Sequence, residues 1–140
     1  EEGSEQSGRV TQFMDGRMHG PSTRWYLNGQ KEAEINYKDG KEDGFSVYWH
    51  ENGRKEGEGA WKMGFPLGPW KWWHPNGQKK EEGIYNEGKE DGLFTWWYEN
   101  GQKEKEGTFK DGKFDGVFTE WDTHGNIIKQ GTFKNGEAVK

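Results

Sequence analysis

Glycine recurs with a 24-residue period along this chain of 140 residues. Three series share the period: Gly29, Gly53, Gly77, Gly101 and Gly125; Gly16, Gly40, Gly64, Gly88, Gly112 and Gly136; and Gly20, Gly44, Gly68, Gly92 and Gly116. A period of about 20–50 residues is typical of repeat architectures, in which each unit contacts only its neighbours. We therefore expect a polar, disordered tail at 1–8 and one repeat domain at 9–140. Its parts are a partial unit at 10–19 and units at 20–43, 44–67, 68–91, 92–115 and 116–139.

Aromatic residues occupy two positions in every full unit, which indicates a structural role. One column is always Trp: Trp25, Trp49, Trp73, Trp97 and Trp121. The second column is Tyr, Trp or Phe: Tyr37, Trp61, Tyr85, Phe109 and Phe133. Aromatic and β-branched residues between turn glycines favour strands, and such short connections join antiparallel strands. The sequence thus predicts an all-β fold, an elongated, twisted or curved single-layer antiparallel meander of about 10–11 short strands, two per repeat.

The composition argues against a second layer. Hydrophobic residues make up only 28% of the chain, yet it contains 9 Trp, 8 Phe and 5 Tyr. Aliphatic residues are therefore scarce, too few for a thick aliphatic core between two layers. Large aromatic rings bury about 150–250 Å² each, so rings lying along its surface can stabilise a single sheet.

The turns and the alternation of side chains predict the two faces of this sheet. Each Asn-Gly pair is expected to form a three-residue type I turn with a G1 bulge, because Pro75 suits the first central position of such a turn. We further assume that the Trp column pairs with the glycine column Gly59, Gly83, Gly107 and Gly131. On that assumption both aromatic columns share the glycine face, and Trp rings cover the glycines. The opposite face then carries Tyr48, Trp70, Trp72, Phe94, Trp96 and Phe118 beside the glutamates Glu34, Glu58, Glu82 and Glu106.

The repeated turns resemble a known repeat family. The stretch GTFKDGKFDG at 107–116 is similar to the core of MORN repeats, and GIYNEGKEDG at 83–92 nearly repeats it. The WxxNGQK signature at 73–79 and 97–103 resembles the bacterial variant form, found in YwqK-type antitoxin-like proteins. The resemblance covers 10–139 and implies an elongated antiparallel sheet in a mostly non-enzymatic protein that engages protein partners along an aromatic groove. Phospholipid binding is the family's other proposed use.

No pattern in the chain indicates catalysis, a cofactor or a metal site, so we expect a protein that is not an enzyme. The chain has no Cys, and Gly-Lys pairs such as Gly40-Lys41 lack the spacing of a phosphate-binding loop. His50 and His74 share a column and should lie about 10 Å apart, too far to ligate one zinc ion. The glutamates of the column have the same spacing, and Lys31, Lys55, Lys79 and Lys103 offer them cross-strand ion pairs. The net charge of −5 argues against nucleic acid and anionic membranes as partners.

The aromatic residues that vary among the units are the candidate binding site. An exposed aromatic patch on a protein surface is typical of a binding site, and Trp and Tyr are favoured interface anchors. We expect a protein partner of basic or mixed charge to contact Tyr48, Trp70, Trp72, Phe94, Trp96, Glu58, Glu82 and Glu106. An antitoxin or immunity role is one form of this hypothesis. The alternative is a glycan-binding or cell-wall-binding module that uses exposed Trp rings. The sequence leaves open a bacterial cytoplasmic or an exported location, since the chain shows no leader.

Overall fold

The computed structural model describes residues 8–140 as one antiparallel sheet. The predicted tail at 1–8 lies outside the described residues except for Gly8. The strands are β1 (Arg9–Met14), β2 (Arg17–Trp25), β3 (Lys31–Lys38), β4 (Lys41–Glu42), β5 (Gly44–Trp49), β6 (Lys55–Lys62), β7 (Phe65–Trp73), β8 (Lys79–Asn86), β9 (Lys89–Glu90), β10 (Gly92–Trp97), β11 (Lys103–Lys110), β12 (Lys113–Trp121), β13 (Ile127–Lys134) and β14 (Glu137–Ala138). Residues 8–140 contain no helix with the length and apolarity that a membrane crossing requires.

The strands follow one another across the sheet as a meander, so the predicted all-β fold is confirmed. The order is β1-β2-β3-β5-β6-β7-β8-β10-β11-β12-β13-β14, while the two-residue strands β4 and β9 pair with β3 and β8. Each repeat supplies two strand positions, as expected. The 14 segments exceed the predicted 10–11 for two reasons. The first strand of two units is interrupted at Asp43 and Asp91, and β14 adds the start of a further unit.

Four Asn-Gly connections, at 28–29, 52–53, 76–77 and 100–101, are type I turns with a G1 bulge, as predicted. In the central example, the Gly77 N–H donates to the His74 carbonyl at 2.9 Å, and the His74 N–H donates to the Gln78 carbonyl at 2.8 Å. Gly77 has φ of 89°, whereas Asn76 is not among the residues with positive φ. One left-handed residue after two right-handed ones is the geometry that distinguishes this loop from a two-residue type I′ turn. The prediction is wrong for Asn135-Gly136, because Lys134 pairs directly with Glu137 and the two loop residues have φ of 50° and 83°, which is a type I′ turn.

The other connections are tighter. Lys110 pairs directly with Lys113, and the two residues between them, Asp111 and Gly112, have φ of 49° and 82°. Two consecutive left-handed residues define a type I′ turn, which matches the right-handed twist of the flanking strands. Met63 occupies the first loop position in one unit with φ of 48°, a conformation that Asp and Asn adopt more readily.

The register contradicts the predicted pairing of the Trp column with the glycine column. Gly107 pairs with Phe94 on one side and with Phe118 on the other. Trp97 lies three residues after Phe94, an odd separation, and therefore points to the opposite side of the sheet. The predicted faces were thus wrong in two respects. The Trp column shares a face with the glutamates, and the variable aromatic residues share a face with the glycines and the second aromatic column.

We call the first side the ion-pair face and the second the aromatic face. The ion-pair face carries the Trp column together with Glu34, Glu58, Glu82 and Glu106. The aromatic face carries Tyr48, Trp70, Trp72, Phe94, Trp96 and Phe118 with the second aromatic column. Ring contacts across strands confirm this grouping, since the centroids of Trp61 and Trp70 are 5.0 Å apart and those of Phe94 and Phe109 are 5.1 Å apart.

The core consists of rings that cover glycines on the aromatic face. The prediction that the Trp column covers the glycines is wrong: the rings over the glycine column are Trp70, Phe94 and Phe118. Trp70 is 4% exposed and Phe94 is 1% exposed. In a sheet without a second layer, a ring reaches such burial only by lying flat along neighbouring strands, and a glycine beneath it leaves room for the ring.

Candidate functional site

A continuous row of side chains crosses the middle of the aromatic face. Tyr48 pairs with Gly57, Gly57 with Trp72, Trp72 with Glu81, Glu81 with Trp96, and Trp96 with Lys105. Directly paired residues of an antiparallel sheet have Cβ atoms about 4.5–5.5 Å apart. The row therefore brings three of the predicted site residues, Tyr48, Trp72 and Trp96, into one line. All three rings are partly exposed.

The first part of the row is a closed ring stack. Tyr48 and Trp72 lie on strands on either side of Gly57, and their ring centroids are 5.8 Å apart with an interplanar angle of 26°. A Cβ atom on Gly57 would come within 2.3 Å of Cε3 of Trp72. The ring of Trp72 therefore leans over Gly57 and lies against Tyr48, because the glycine occupies no space between them.

The second part of the row contains a carboxylate between two indoles. Glu81 pairs with Trp72 on β7 and with Trp96 on β10. Burial raises the pKa of Glu81 above its ordinary value, and it outweighs the opposing effects of the Lys80 and Lys105 ammonium groups and of a hydrogen bond from the Trp96 indole. Among residues 8–140, Glu81 forms no ion pair. A partly buried carboxylate that forms no ion pair within residues 8–140 thus lies between two partly exposed aromatic side chains.

A lysine lies on the other side of Trp96. The Nζ atom of Lys105 is 4.9 Å from the centroid of the Trp96 ring, within the range of a cation–π interaction. Trp96 also contacts Phe94 and Phe109, with centroid separations of 5.8 and 6.4 Å. The Trp96 indole is therefore held by Lys105 and Phe109 of β11 on one side and by its hydrogen bond to Glu81 of β8 on the other.

Trp70 and Phe94 support the row rather than form its surface. The centroids of Trp70 and Trp72 are 5.8 Å apart, and the Trp70 indole N–H donates to the Ala60 carbonyl at 3.0 Å. Because both rings are almost fully buried, they fix the positions of Trp72 and Trp96 and offer little area of their own. Their assignment as partner contacts remains a prediction that the structure does not test.

The three predicted glutamates lie on the ion-pair face, so they do not adjoin the variable aromatic residues. Lys55 and Glu58 form an ion pair at 2.8 Å, Lys79 and Glu82 at 2.6 Å, and Lys103 and Glu106 at 2.9 Å; Lys31 pairs with Glu34 in the same way. Each pair lies within one strand, three residues apart, and not across strands as expected. The bulge opposite each Trp column residue, as between Lys103 and Lys105, allows this local pairing.

Lysines of these pairs also cover the Trp column. Nζ atoms lie 5.9 Å from the Trp49 ring centroid for Lys31, 5.6 Å from Trp97 for Lys79 and 5.7 Å from Trp121 for Lys103. Each lysine therefore joins a glutamate of its own unit to a Trp of the next.

The pKa of Glu106 shows the electrostatic effect of this pairing. Burial alone would raise the pKa of Glu106, but hydrogen bonds from Lys103 and Thr95 and the Lys103 charge outweigh it and lower that pKa.

His50 and His74 connect neighbouring units. Their Nε2 atoms lie 2.8 Å from the Trp73 and Trp97 carbonyls, positions that accept a hydrogen bond from Nε2–H. Tyr26 and Tyr98 donate from their hydroxyls to the equivalent carbonyls. These four residues occupy the same position in successive units, and Tyr and His have the same structural role there. No group of three or more His, Asp or Glu suited to a metal ion occurs within the described part of the chain.

The residues that sequence reasoning missed are Glu81 and Lys105. They belong to a column that reads Ala33, Gly57, Glu81, Lys105 and Lys129, with no repeated chemistry. Repetition was the signal used to find columns, and this column has none. The available signal was position, because each member lies two residues before the glycine column and so shares its face.

The fold and this row of side chains define a β-hairpin repeat protein with one aromatic face. Four segments, 18–39, 66–87, 90–111 and 114–135, match the family model described as the MORN repeat variant. They cover more than half of the chain, which therefore belongs to the MORN repeat variant family. MORN repeats are generally associated with binding of proteins or membrane lipids. No curated protein matches the chain.

Proposed function

We propose that this protein is a non-catalytic interaction module that binds a protein partner on its aromatic face. The observation that carries the proposal is the row of partly exposed rings, Tyr48, Trp72 and Trp96, on a sheet face that no second layer covers in residues 8–140. Large aromatic side chains that are already held in place lose little conformational entropy when a partner packs on them. An antitoxin-like role, as in YwqK-type proteins, would be one use of such a module.

Charge favours a basic or mixed-charge partner. The chain carries a net charge of −5, and Glu81, which forms no ion pair with any residue of 8–140, places a carboxylate in the middle of the partly exposed rings. Complementary charge speeds association and selects among partners more than it adds affinity. A partner segment with cationic side chains therefore fits this face better than an acidic one.

The test is capture of a partner by immobilised wild-type protein and by three variants. Trp72→Ala and Trp96→Ala remove rings from the aromatic face, whereas Trp97→Ala removes the same side chain from the ion-pair face and serves as the matched control. The captured protein is identified, purified and titrated against each variant by calorimetry. We expect Trp72→Ala and Trp96→Ala to weaken binding by about tenfold or more, as truncation of an aromatic anchor does.

Two outcomes would contradict the proposal. One is unchanged affinity in both Trp72→Ala and Trp96→Ala, and the other is an equal loss in Trp97→Ala. Because loss of an indole can weaken the fold, Glu81→Arg provides a second variant that keeps every ring and reverses one charge. Retention on a polysaccharide column through Trp72 and Trp96, without any protein partner, would replace the proposal by glycan binding.

A further inference from the structure

Two pairs of rings on the aromatic face have the same backbone separation, but only one pair is in ring contact. Tyr48 and Trp72 flank Gly57, and Trp72 and Trp96 flank Glu81. Two strand spacings place the backbones of each pair about 10 Å apart. The first pair closes to a centroid separation of 5.8 Å, whereas Trp72 and Trp96 form no ring contact within the described residues.

The difference follows from what lies beneath and beside each ring. Gly57 lets the Trp72 ring lean toward Tyr48, where a Cβ atom on the glycine would come within 2.3 Å of it. Trp96 is held on its other side by Phe109 and by the Lys105 ammonium group. The Trp72 ring is therefore drawn away from Trp96, whose indole hydrogen-bonds the Glu81 side chain and forms no ring contact with Trp72. A gap remains above the strand between them, and Glu81 is the residue at its floor.

We propose that this gap binds an arginine side chain of the protein partner, whose guanidinium pairs with the Glu81 carboxylate and packs against the indoles of Trp72 and Trp96. This inference rests on the proposed function and names the group that the aromatic face recognises. Glu81 forms no ion pair among residues 8–140. The Trp96 indole hydrogen-bonds its carboxylate, whose remaining acceptor positions are available to a guanidinium. The Lys105 ammonium already lies over the Trp96 ring, which shows that this indole accepts a cation.

Arginine fits the gap better than lysine because of its shape and hydration. A guanidinium is planar, so it can stack on an indole while its edge donates two parallel hydrogen bonds to a carboxylate. It is also less strongly hydrated than an ammonium group and loses less when it enters a partly desolvated site. The raised pKa of Glu81 shows that the carboxylate lies in such a site.

The test uses a blocked pentapeptide, acetyl-Gly-Gly-Arg-Gly-Gly-amide, titrated into the full chain at low salt. Matched peptides carry citrulline, the neutral analogue of arginine, or lysine. Indole N–H signals are followed by NMR, with those of Trp72 and Trp96 assigned from single Trp→Phe variants. We expect the arginine peptide to shift the Trp72 and Trp96 signals saturably and to leave Trp97 and Trp121 unchanged. The citrulline peptide should produce no saturable shift, and the lysine peptide should bind more weakly.

Glu81→Gln tests the carboxylate without removing a ring. It should weaken the arginine peptide by about tenfold or more, since a hydrogen bond to a charged group is stronger than one to a neutral group. Glu99→Gln, in an exposed Asn-Gly turn, makes the same change in net charge and should bind like the wild type. Equal binding of arginine and citrulline peptides, tighter binding of lysine, or unchanged binding by Glu81→Gln would each overturn the assignment. If a purified partner needs Trp72 and Trp96 but not Glu81, the arginine site is wrong and the interaction module stands.

Discussion

The indole of Trp70 lies directly over Gly59 on the neighbouring strand, so that a Cβ atom on Gly59 would be 2.1 Å from Cδ2 of the ring. The two residues are paired across β6 and β7. The contact is possible only because the strand residue has no side chain at this point. This relationship, repeated with Phe94 over Gly83, sustains a buried core in a single layer.

Replacing glycines of this column should therefore destabilise the protein in proportion to the closeness of the ring. Gly59→Ala is expected to lower the free energy of unfolding by about 1–3 kcal/mol, because the Trp70 ring must move off its site. Gly131→Ala is the control from the same column, where the nearest atom would be Cε2 of Phe133 at 3.8 Å. It should be neutral or slightly stabilising, since alanine restricts the unfolded chain. Urea unfolding measures both, and equal effects would contradict the ring-over-glycine account.

The asparagine of each type I Asn-Gly turn should stabilise the protein through two hydrogen bonds, one to the next unit and one within its own loop. Nδ2 of Asn76 donates to the Glu99 carbonyl of the next unit at 2.7 Å, and Oδ1 accepts from the Gln78 N–H at 2.9 Å. Asn76→Ala removes both hydrogen bonds and should lower the free energy of unfolding by about 1–2 kcal/mol. Asn86→Ala, at an exposed strand position, should change it by less than about 0.5 kcal/mol. A comparable loss in both variants would show that the inter-unit hydrogen bond does not matter.

Glu81 should make the protein less stable as pH rises above its ordinary pKa of about 4.5. A carboxyl group with a raised pKa binds more protons in the folded state than in the unfolded state between the two pKa values, so stability falls across that range as pH increases. The groups that act on Glu81 besides burial are Lys80, Lys105, Trp96 and Glu90. Glu81→Gln is therefore expected to stabilise the fold at pH 7 relative to the wild type, and less so at pH 4. Urea unfolding at the two pH values checks this, and a pH-independent difference would contradict it.

Glu106 should show the opposite pH dependence. Its pKa is lowered, so it favours the folded state above the ordinary value of about 4.5 and loses that contribution as pH falls below it. Glu106→Gln is expected to lower the free energy of unfolding by about 1 kcal/mol at pH 7, because Thr95 and Lys103 lose a charged acceptor. The difference from the wild type should shrink at pH 3. Glu99→Gln controls for net charge, and an equal effect in that variant would assign the loss to long-range charge alone.

The sequence was sufficient for most of what depends on neighbouring residues. The 24-residue period, two strands per unit and the all-β meander follow from repeated glycines and aromatic residues. The type I turn with its bulge was also predictable at Asn76-Gly77, where Pro75 precedes the pair. The type I′ turn at Asn135-Gly136 was not, because the Asn-Gly pair by itself is compatible with both turns. The turn chemistry and the repeated side chains are local properties.

The assignment of side chains to faces needed the tertiary structure, because a shift of one residue in register moves every side chain of a strand to the other side. Gly107 pairs with Phe94 and not with Trp97, and a bulge lets Lys103 pair with Trp97. These features depend on how neighbouring strands align, which repetition alone leaves open. The gap between Trp72 and Trp96 depends on the same alignment. By itself, the sequence determined a single sheet built from aromatic rings and glycines. The cross-strand register decided which rings became the core, which remained exposed, and that a carboxylate lies between two of them.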